Sequence, residues 1–381
     1  MLESSVENFD VAVVGGGVAG SAAAIALRNG GFSVAIIERG EYNQKRIAEV
    51  LPPDVKEPLI ALGIWDDFLS LGCKPVMSRA SSWGSPHLDI SDYLFNAYGP
   101  AWVIVRPVFD RFLATGASER GARLFLNTRI TACLREGRQC WQMTLRQGLG
   151  ERTIKAAFVI IATGRSSSVM RRGPKPRTSY DRLIGVTATI ARSSAHSTND
   201  ARPMIEAVPE GWWYSVGLPD ETISLALMTD ADIAGAEVRR YRNRGALLAA
   251  LLRSAPHTFE RLSGGLDVLI HANVVSANTY FNLSSDDDGV ISIVDAVSAI
   301  DPLAGQGSYV ALESSTSIAA TIAAYNRGSP TALEEHSHRQ RANFERLMAE
   351  RIFYYGIERR WPGFPFWSRR QTGGWFASPR A

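Results

Sequence analysis

The chain has 381 residues, of which 45% are hydrophobic and 21% charged, with a formal net charge of +3. That length buries a sizeable core and suits two closely associated domains, and so small a charge gives no footing for nucleic acid. No apolar run reaches membrane-spanning length, so no membrane association is expected. The opening MLESSVENFD is acidic and polar, unlike a secretory signal. Cys73, Cys133 and Cys140 lack metal-ligand spacing and cannot all pair, which predicts reduced thiols, no metal and a cytoplasmic protein.

The first element is a buried strand, Val11 to Val14, short and β-branched. It runs into Gly15-x-Gly17-x-x-Gly20, then an alanine-rich helix from Ser21 to Arg28 and a second apolar strand, Ser33 to Ile37, ending in Glu38. In such a unit the first glycine allows a tight turn, the second lets backbone approach a pyrophosphate, and the third packs helix on strand. The helix N-terminus favours the phosphates, and an acid at the end of the second strand suits a ribose diol. Gly15, Gly17, Gly20 and Glu38 are therefore expected to bind a dinucleotide.

Two central stretches, Arg79 to Val105 and Leu183 to Asp230, read as sheet. The second contains alternating runs such as Ile184 to Ile190 and Thr222 to Met228. It also contains Gly-Trp212-Trp213-Tyr-Ser, and because strand neighbours face opposite ways only one of the two indoles can enter a given pocket.

A second device follows about 280 positions after the first. The strand Val290 to Val294 is capped by Asp295, and Asp301-Pro302-Leu-Ala-Gly305-Gln306-Gly307 opens a long helix from Ser308 to Tyr325. A second helix N-terminus suits the negative charge of a reduced flavin, and Asp295 suits a ribityl hydroxyl. A nicotinamide dehydrogenase needs no such addition, so FAD is expected.

Together these motifs resemble the FAD-binding domain of group A flavoprotein monooxygenases, the p-hydroxybenzoate hydroxylase-like fold shared with flavin halogenases and geranylgeranyl reductases. The resemblance covers residues 9 to about 325. It implies an α/β fold in which a Rossmann-like FAD-binding domain (1–75, 106–180, 271–328) is interleaved with a β-sheet substrate domain (76–105, 181–270). A C-terminal helical segment, 329–381, follows. It extends the expected FAD contacts to Arg39, to Arg46 in the run Arg46-Ile-Ala-Glu49, to Arg106 ahead of Phe109-Asp110, and to Gly164 after the strand from Phe158. Pro302, Gly305, Gln306 and Gly307 would border the reacting edge of the flavin.

No second GxGxxG occurs, so NADH or NADPH is expected as a transient reductant rather than a resident of its own domain. The Asp-Gly element that many of these hydroxylases carry after the Gly164 region is missing from GRSSSVMRR. Halogenases of this fold carry Trp-x-Trp-x-Ile-Pro and a catalytic lysine. Here the tryptophan spacing differs, no lysine lies near Ser82-Trp83-Gly84, and Lys74 reads as a loop residue.

The C-terminal Glu358-x-Arg360-Trp361-Pro and Phe366-Trp367-x-Arg369-Arg370, with Ser82-Trp83-Gly84 and Gly-Trp212-Trp213-Tyr-Ser, resemble flavoproteins that mature quinone-cofactor amine and amino-acid oxidases. That resemblance implies hydroxylation of an electron-rich ring through a flavin C4a-hydroperoxide, the ring being a tryptophan side chain of a precursor protein. A small aromatic substrate, halogenase-like chemistry, geranylgeranyl-type reduction and a non-catalytic FAD-bound scaffold are the rival readings. Trp83, Trp102 and Trp213 or Trp212 are expected to wall the substrate cavity. His87 and Asp89 are weak candidates for a base, more naturally surface residues. Eight arginines against three glutamates between His336 and Arg370 suggest either a docking face or a solvated helix.

Overall fold

The computed structural model describes residues 6–44, 47–137, 139–166, 177–191, 200–238, 244–262, 269–282 and 289–371. Its first layer is a sheet in which Arg123–Phe125, Val34–Ile37, Glu7–Val14 and Gly150–Ile161 run parallel in that spatial order. The strand Gly150–Ile161 divides its outer edge. Residues 150–156 pair antiparallel with Trp141–Gln147, and Val159–Ile161 pair parallel with Val290–Ser292. The glycine loop after Val14 and the turn after Ser292 thus emerge from the same carboxyl end of one sheet, where α/β sheets bind ligands. The alanine-rich helix, Val18–Asn29, covers one face with Arg106–Glu119 and the late helices, around a core that includes Ile25, Leu27, Phe109, Ile160 and Leu312.

The helix expected from Ser308 to Tyr325 is two, Gly307–Thr316 and Ile318–Asn326. They break at a hydroxyl-rich run in which Ser315, Thr316 and Ser317 donate to the carbonyls of Ala311, Glu313 and Ser314. Such side-chain bonds compete with helical ones.

A second seven-stranded sheet roofs this end, in the order Leu269–Ser276, Leu183–Ala191, Thr222–Asp230, Gly211–Gly217, Met204–Val208, Ser78–Ser82 and Asp89–Asp92. Ala101–Ile104, expected in this roof, instead joins Glu49–Leu51 and Lys74–Val76 in a small separate sheet. Lys74 is therefore a strand residue and not a loop one, because Pro75 and Val76 pair with Trp102 and Ala101. The long helix Ala332–Ile357 and the short helix Pro365–Gln371 complete the described chain. Among the described residues no helix is long and apolar enough to cross a membrane.

Candidate active site

The glycines of the first loop differ in what requires them. A Cβ on Gly15, whose φ is +105°, would lie 2.4 Å from the Ala162 carbonyl oxygen, and one on Gly20 would lie 1.9 Å from that of Gly15. The fold itself excludes side chains there. A Cβ on Gly17 would meet nothing within 4 Å, and Gly17 has an ordinary extended conformation as the N-cap of Val18–Asn29. Apart from the mild N-cap preference for glycine, a molecule seated on the helix N-terminus gives glycine a purpose at that position. Glu38 is held beside it, its two oxygens accepting from Gly16 N (2.7 Å) and Gly40 N (2.8 Å). Each oxygen retains lone pairs for hydroxyl donors. Tyr42 and Ser21 hydroxyls both donate to Gly16 O (2.9 and 2.8 Å), which fixes the loop further. Arg39 is exposed, and Arg46 lies outside the described residues.

The next contacts converge from three segments. Arg106 donates to Asp110 (3.0 Å) and to Glu49, and the other oxygen of Glu49 accepts from Ser308 at the start of the late helix. Burial opposes the Arg106 charge, but the Glu49 and Asp110 carboxylates outweigh it and raise its pKa. Gly164, with φ +62°, ends the strand Gly150–Ile161 region and places Arg165 4.0 Å from Asp295. Arg165 also donates to Asn278 O (2.6 Å) and Ile300 O (3.2 Å). In the turn Asp301–Gly307, Leu303 is buried while Pro302, Gly305 and Gly307 are exposed and Gln306 half-buried. Cβ atoms on Gly305 and Gly307 would again meet nothing within 4 Å. Gly305, at φ +65°, is already required by the left-handed turn, whereas the open positions Gly17 and Gly307 leave room for an extended dinucleotide.

The roof resolves the tryptophan pair. On the strand Gly211–Gly217, Trp212, Tyr214 and Val216 share a face with Met228, Ala226 and Ser224 of the adjoining strand. That face meets Leu303 of the turn Asp301–Gly307, and Ser224 Oγ accepts from Ala48 N (3.2 Å) next to Glu49. Trp213 lies on the opposite face, packed with Leu225, Leu227, Leu248 and Leu252 beneath the helices Arg244–Leu252 and Pro256–Leu262. The expectation that Trp213 lines the substrate cavity is thus corrected: strand alternation turns it into the far core. Trp102 is corrected as well, since it packs edge-on to Trp65 and Phe68 in the nucleotide domain.

Trp212 faces the right way but is covered. Its Nε1 donates to the Tyr355 hydroxyl (3.0 Å), and its ring belongs to a cluster with Trp83, Tyr355, Phe366 and Trp367. Trp83 is half-buried there, its Nε1 donating to Tyr354 O (2.7 Å). Tyr214, also on this face, is half-buried where the roof, Ile47–Val50 and the Leu303 cluster meet. Among the described residues its hydroxyl has no hydrogen-bond partner, and burial, reinforced by Glu49, raises its pKa. Sequence reading missed Tyr214 because the tryptophans drew attention, although its place two positions after Trp212 marks it for the same face.

The C-terminal motifs form part of this roof. Glu358 accepts from Gly84 N (2.7 Å), and Arg360 donates to Glu358 (2.6 Å) and to Ser82 O (3.2 Å). Arg369 and Arg370 both donate to Asp230, and Trp367 Nε1 donates to Val208 O (2.8 Å). Arg341 and Arg346 pair with Glu345 and Glu350. Arg351, Arg369 and Arg370 thus find acid partners elsewhere in the chain, while the Arg341 and Arg346 pairs lie on an exposed helix face. His87 and Asp89 are exposed.

A glycine loop with an acid beside it and a second turn at one sheet end, beneath a mostly antiparallel roof, define a flavoprotein of the p-hydroxybenzoate hydroxylase type. Residues 8–243 match the family described as FAD binding domain, and the chain belongs to that family as an FAD-dependent enzyme of the flavin monooxygenase type. It is 26% identical over 375 residues to LodB of Marinomonas mediterranea, named as an FAD-dependent oxidoreductase, covering 96% of this chain and 98% of that one. The myxobacterial chondrochloren halogenase CndH superposes with a TM-score of 0.86 at 21% identity, covering 96% of this chain and 86% of that one. The peptidyl tryptophan dihydroxylase QhpG, essential for tryptophylquinone cofactor biogenesis, superposes with a TM-score of 0.77 at 21% identity, covering 96% and 79%.

Proposed function

We propose that the protein hydroxylates an electron-rich aromatic ring, the substrate being a tryptophan side chain of a precursor polypeptide during quinone cofactor biogenesis, with NADH or NADPH as transient reductant. The observation that carries this reading is the union of Ser82-Trp83-Gly84 with Glu358-x-Arg360. These are the motifs that resemble quinone-cofactor maturation flavoproteins, and they form one hydrogen-bonded corner of the roof. Similarity to LodB over nearly the whole chain and the fold shared with QhpG support it. The strands of the roof contain no lysine, and Lys74 stands on the small sheet packed beside it.

FAD, when reduced, supplies the activation of dioxygen. The helix N-termini at Val18 and Gly307 and the carboxylate of Glu38 would hold it. The chain's own part is to keep the site dry and to orient the ring. Trp83, Trp212, Tyr355 and Trp367 close one side of the roof against water. Tyr214, its phenol kept protonated, offers a neutral oxygen to the indole N–H and so fixes which ring edge is presented. A neutral phenol can steady the electron-poor ring that forms as oxygen is added, but it is no general base near neutral pH.

Incubation with NAD(P)H, oxygen and tryptophan-containing precursor peptides, read by mass spectrometry, tests the reading. Addition of one or two oxygen atoms to a tryptophan is expected. Oxygenation of free small aromatics alone would move the substrate class. Halide incorporation would overturn hydroxylation altogether.

A further inference from the structure

The helix Ala332–Ile357 grips the second flavin-side segment at two points. Val294 N donates to Gln340 Oε1 (3.1 Å), and Gln340 Nε2 donates to Ser292 O (2.8 Å). These bonds hold Val294 at φ +51°, a left-handed conformation unusual for a β-branched residue, one position before Asp295. Eleven positions on, close to three helical turns and so on the same face, stands Arg351. Its Nε donates to Asp301 Oδ2 (2.5 Å) and its Nη2 to Asp181 Oδ2 (2.9 Å). All three side chains are almost completely buried.

The partners connect Arg351 to both halves of the site. Asp301 uses its other oxygen to accept from Leu303 N (3.3 Å), capping the turn Pro302–Ala304. Asp181 accepts from Thr279 N (3.1 Å) and Leu183 N (3.0 Å) at the entrance of a roof strand. One guanidinium therefore spans the roof, the flavin-side turn and the C-terminal helix. Buried ion pairs contribute little net stability, because desolvation offsets their attraction. What they have over apolar packing is direction, since a planar guanidinium fixes the angle and distance of each carboxylate.

We propose that Arg351 is a positioning residue for the flavin. It sets the turn Asp301–Gly307 relative to the roof, so that the C-terminal helix governs the gap in which flavin and substrate meet. This rests on the turn being a flavin contact and is independent of the substrate. Arg370 supplies the control: it is equally buried, but the carboxylate it pairs with through both oxygens is Asp230 (2.7 and 3.1 Å), at the end of a roof strand and not in the turn.

The test compares wild type with Arg351→Lys, Arg351→Met, Arg370→Met and Gly307→Val, measuring FAD Kd, the visible spectrum of the bound flavin and Tm. Gly307→Val is expected to weaken FAD while leaving Tm near wild type. Arg351→Met is expected to raise Kd about tenfold or more, the loss of one charge-assisted hydrogen bond's worth of positioning, and to shift the flavin bands. Arg351→Lys recovers part of the affinity, because an ammonium cannot span both carboxylates with fork geometry. Arg370→Met lowers Tm yet keeps Kd and spectrum. Unchanged Kd in the Arg351 variants, or a Kd that follows Tm equally in the Arg351 and Arg370 variants, overturns the proposal. If Gly307→Val leaves FAD binding intact, the reading of the turn fails and the proposal falls with it. If Gly307→Val weakens FAD and the Arg351 variants do not, only the role of Arg351 falls. Should Arg351→Met not fold, Arg351→Lys carries the same comparison.

Discussion

Gly17→Ala separates a glycine required by a ligand from one required by the fold. A methyl at Gly17 meets no protein atom within 4 Å, and the backbone there is one that alanine adopts freely. Reduced freedom of the unfolded chain favours the alanine by about 0.4–1 kcal/mol, and the N-cap preference for glycine opposes it by a similar amount. Stability should therefore stay within about 1 kcal/mol of wild type. A pyrophosphate resting on the helix N-terminus would be pushed off its amide donors, and losing one charge-assisted bond of about 1.5–3 kcal/mol weakens binding roughly 10- to 150-fold. Gly20→Ala gives the opposite pattern. Its methyl would sit 1.9 Å from Gly15 O and 3.1 Å from Ala162 Cβ, so helix and strand must part. Overpacking of that kind costs about 1–3 kcal/mol or more. FAD titration by quenching of flavin fluorescence gives Kd, and thermal melting of the apoprotein gives Tm. Wild-type FAD affinity in Gly17→Ala, or loss of Tm equal to that of Gly20→Ala, would refute the assignment of Gly17 to the cofactor.

Trp213→Ala should cost about 3–5 kcal/mol in denaturant unfolding, as for a fully buried core tryptophan, while the visible spectrum of bound FAD stays unchanged. Tyr214→Phe should raise the KM for a tryptophan-containing substrate about 2- to 12-fold, one neutral hydrogen bond, without altering the pH profile of kcat, since the phenol stays protonated throughout. His336 is buried, and burial first, then Arg339, pushes its pKa down to about 4. The unfolded chain takes up that proton at higher pH than the folded one, so stability falls as pH drops from about 6.5 towards 4, by up to about 3 kcal/mol. His336→Gln should lessen that acid-side loss relative to wild type when ΔG is compared at neutral and acid pH. Anaerobic addition of NADH or NADPH should bleach the oxidised flavin directly; an absence of bleaching with and without substrate would require a separate reductase.

Local chemistry was readable from the sequence wherever one short segment carries a whole device. Gly15 to Gly20 and Glu38 lie within one strand–helix–strand unit, so their spacing alone implies the tight turn, the close helix–strand packing and an acid held beside the loop. The turn Asp301–Gly307 is equally self-contained. What spacing could not supply was partnership across the chain. Alternation required the two tryptophans to part, but which face looks on the flavin depends on Ser224 meeting Ala48 and on Leu303 reaching Trp212, contacts between segments far apart. Trp102 misled for the same reason: its strand pairs with Glu49–Leu51 rather than with the roof, and nothing local to Ala101–Ile104 distinguishes the two sheets.

The C-terminal arginines show how charge counting fails when the acids lie elsewhere. Counted within their own segment they read as a basic face. Yet Arg370 and Arg369 answer Asp230, at the end of a roof strand, and Arg351 answers Asp181 and Asp301, one in the roof and one in the flavin-side turn. Glu358 and Arg360 hold Gly84 and Ser82. Each of these ties runs from the C-terminal segment to the roof or to the turn Asp301–Gly307. A segment joined in this way cannot move as an independent arm without unpairing buried charges, which costs about 3–5 kcal/mol for each partner removed. On the proposed function, this segment would act on the substrate through the shape it imposes on the roof. Tyr214 and the rim of Trp83 are then the contacts to test first, and the motifs that suggested a polypeptide substrate are built into the roof itself.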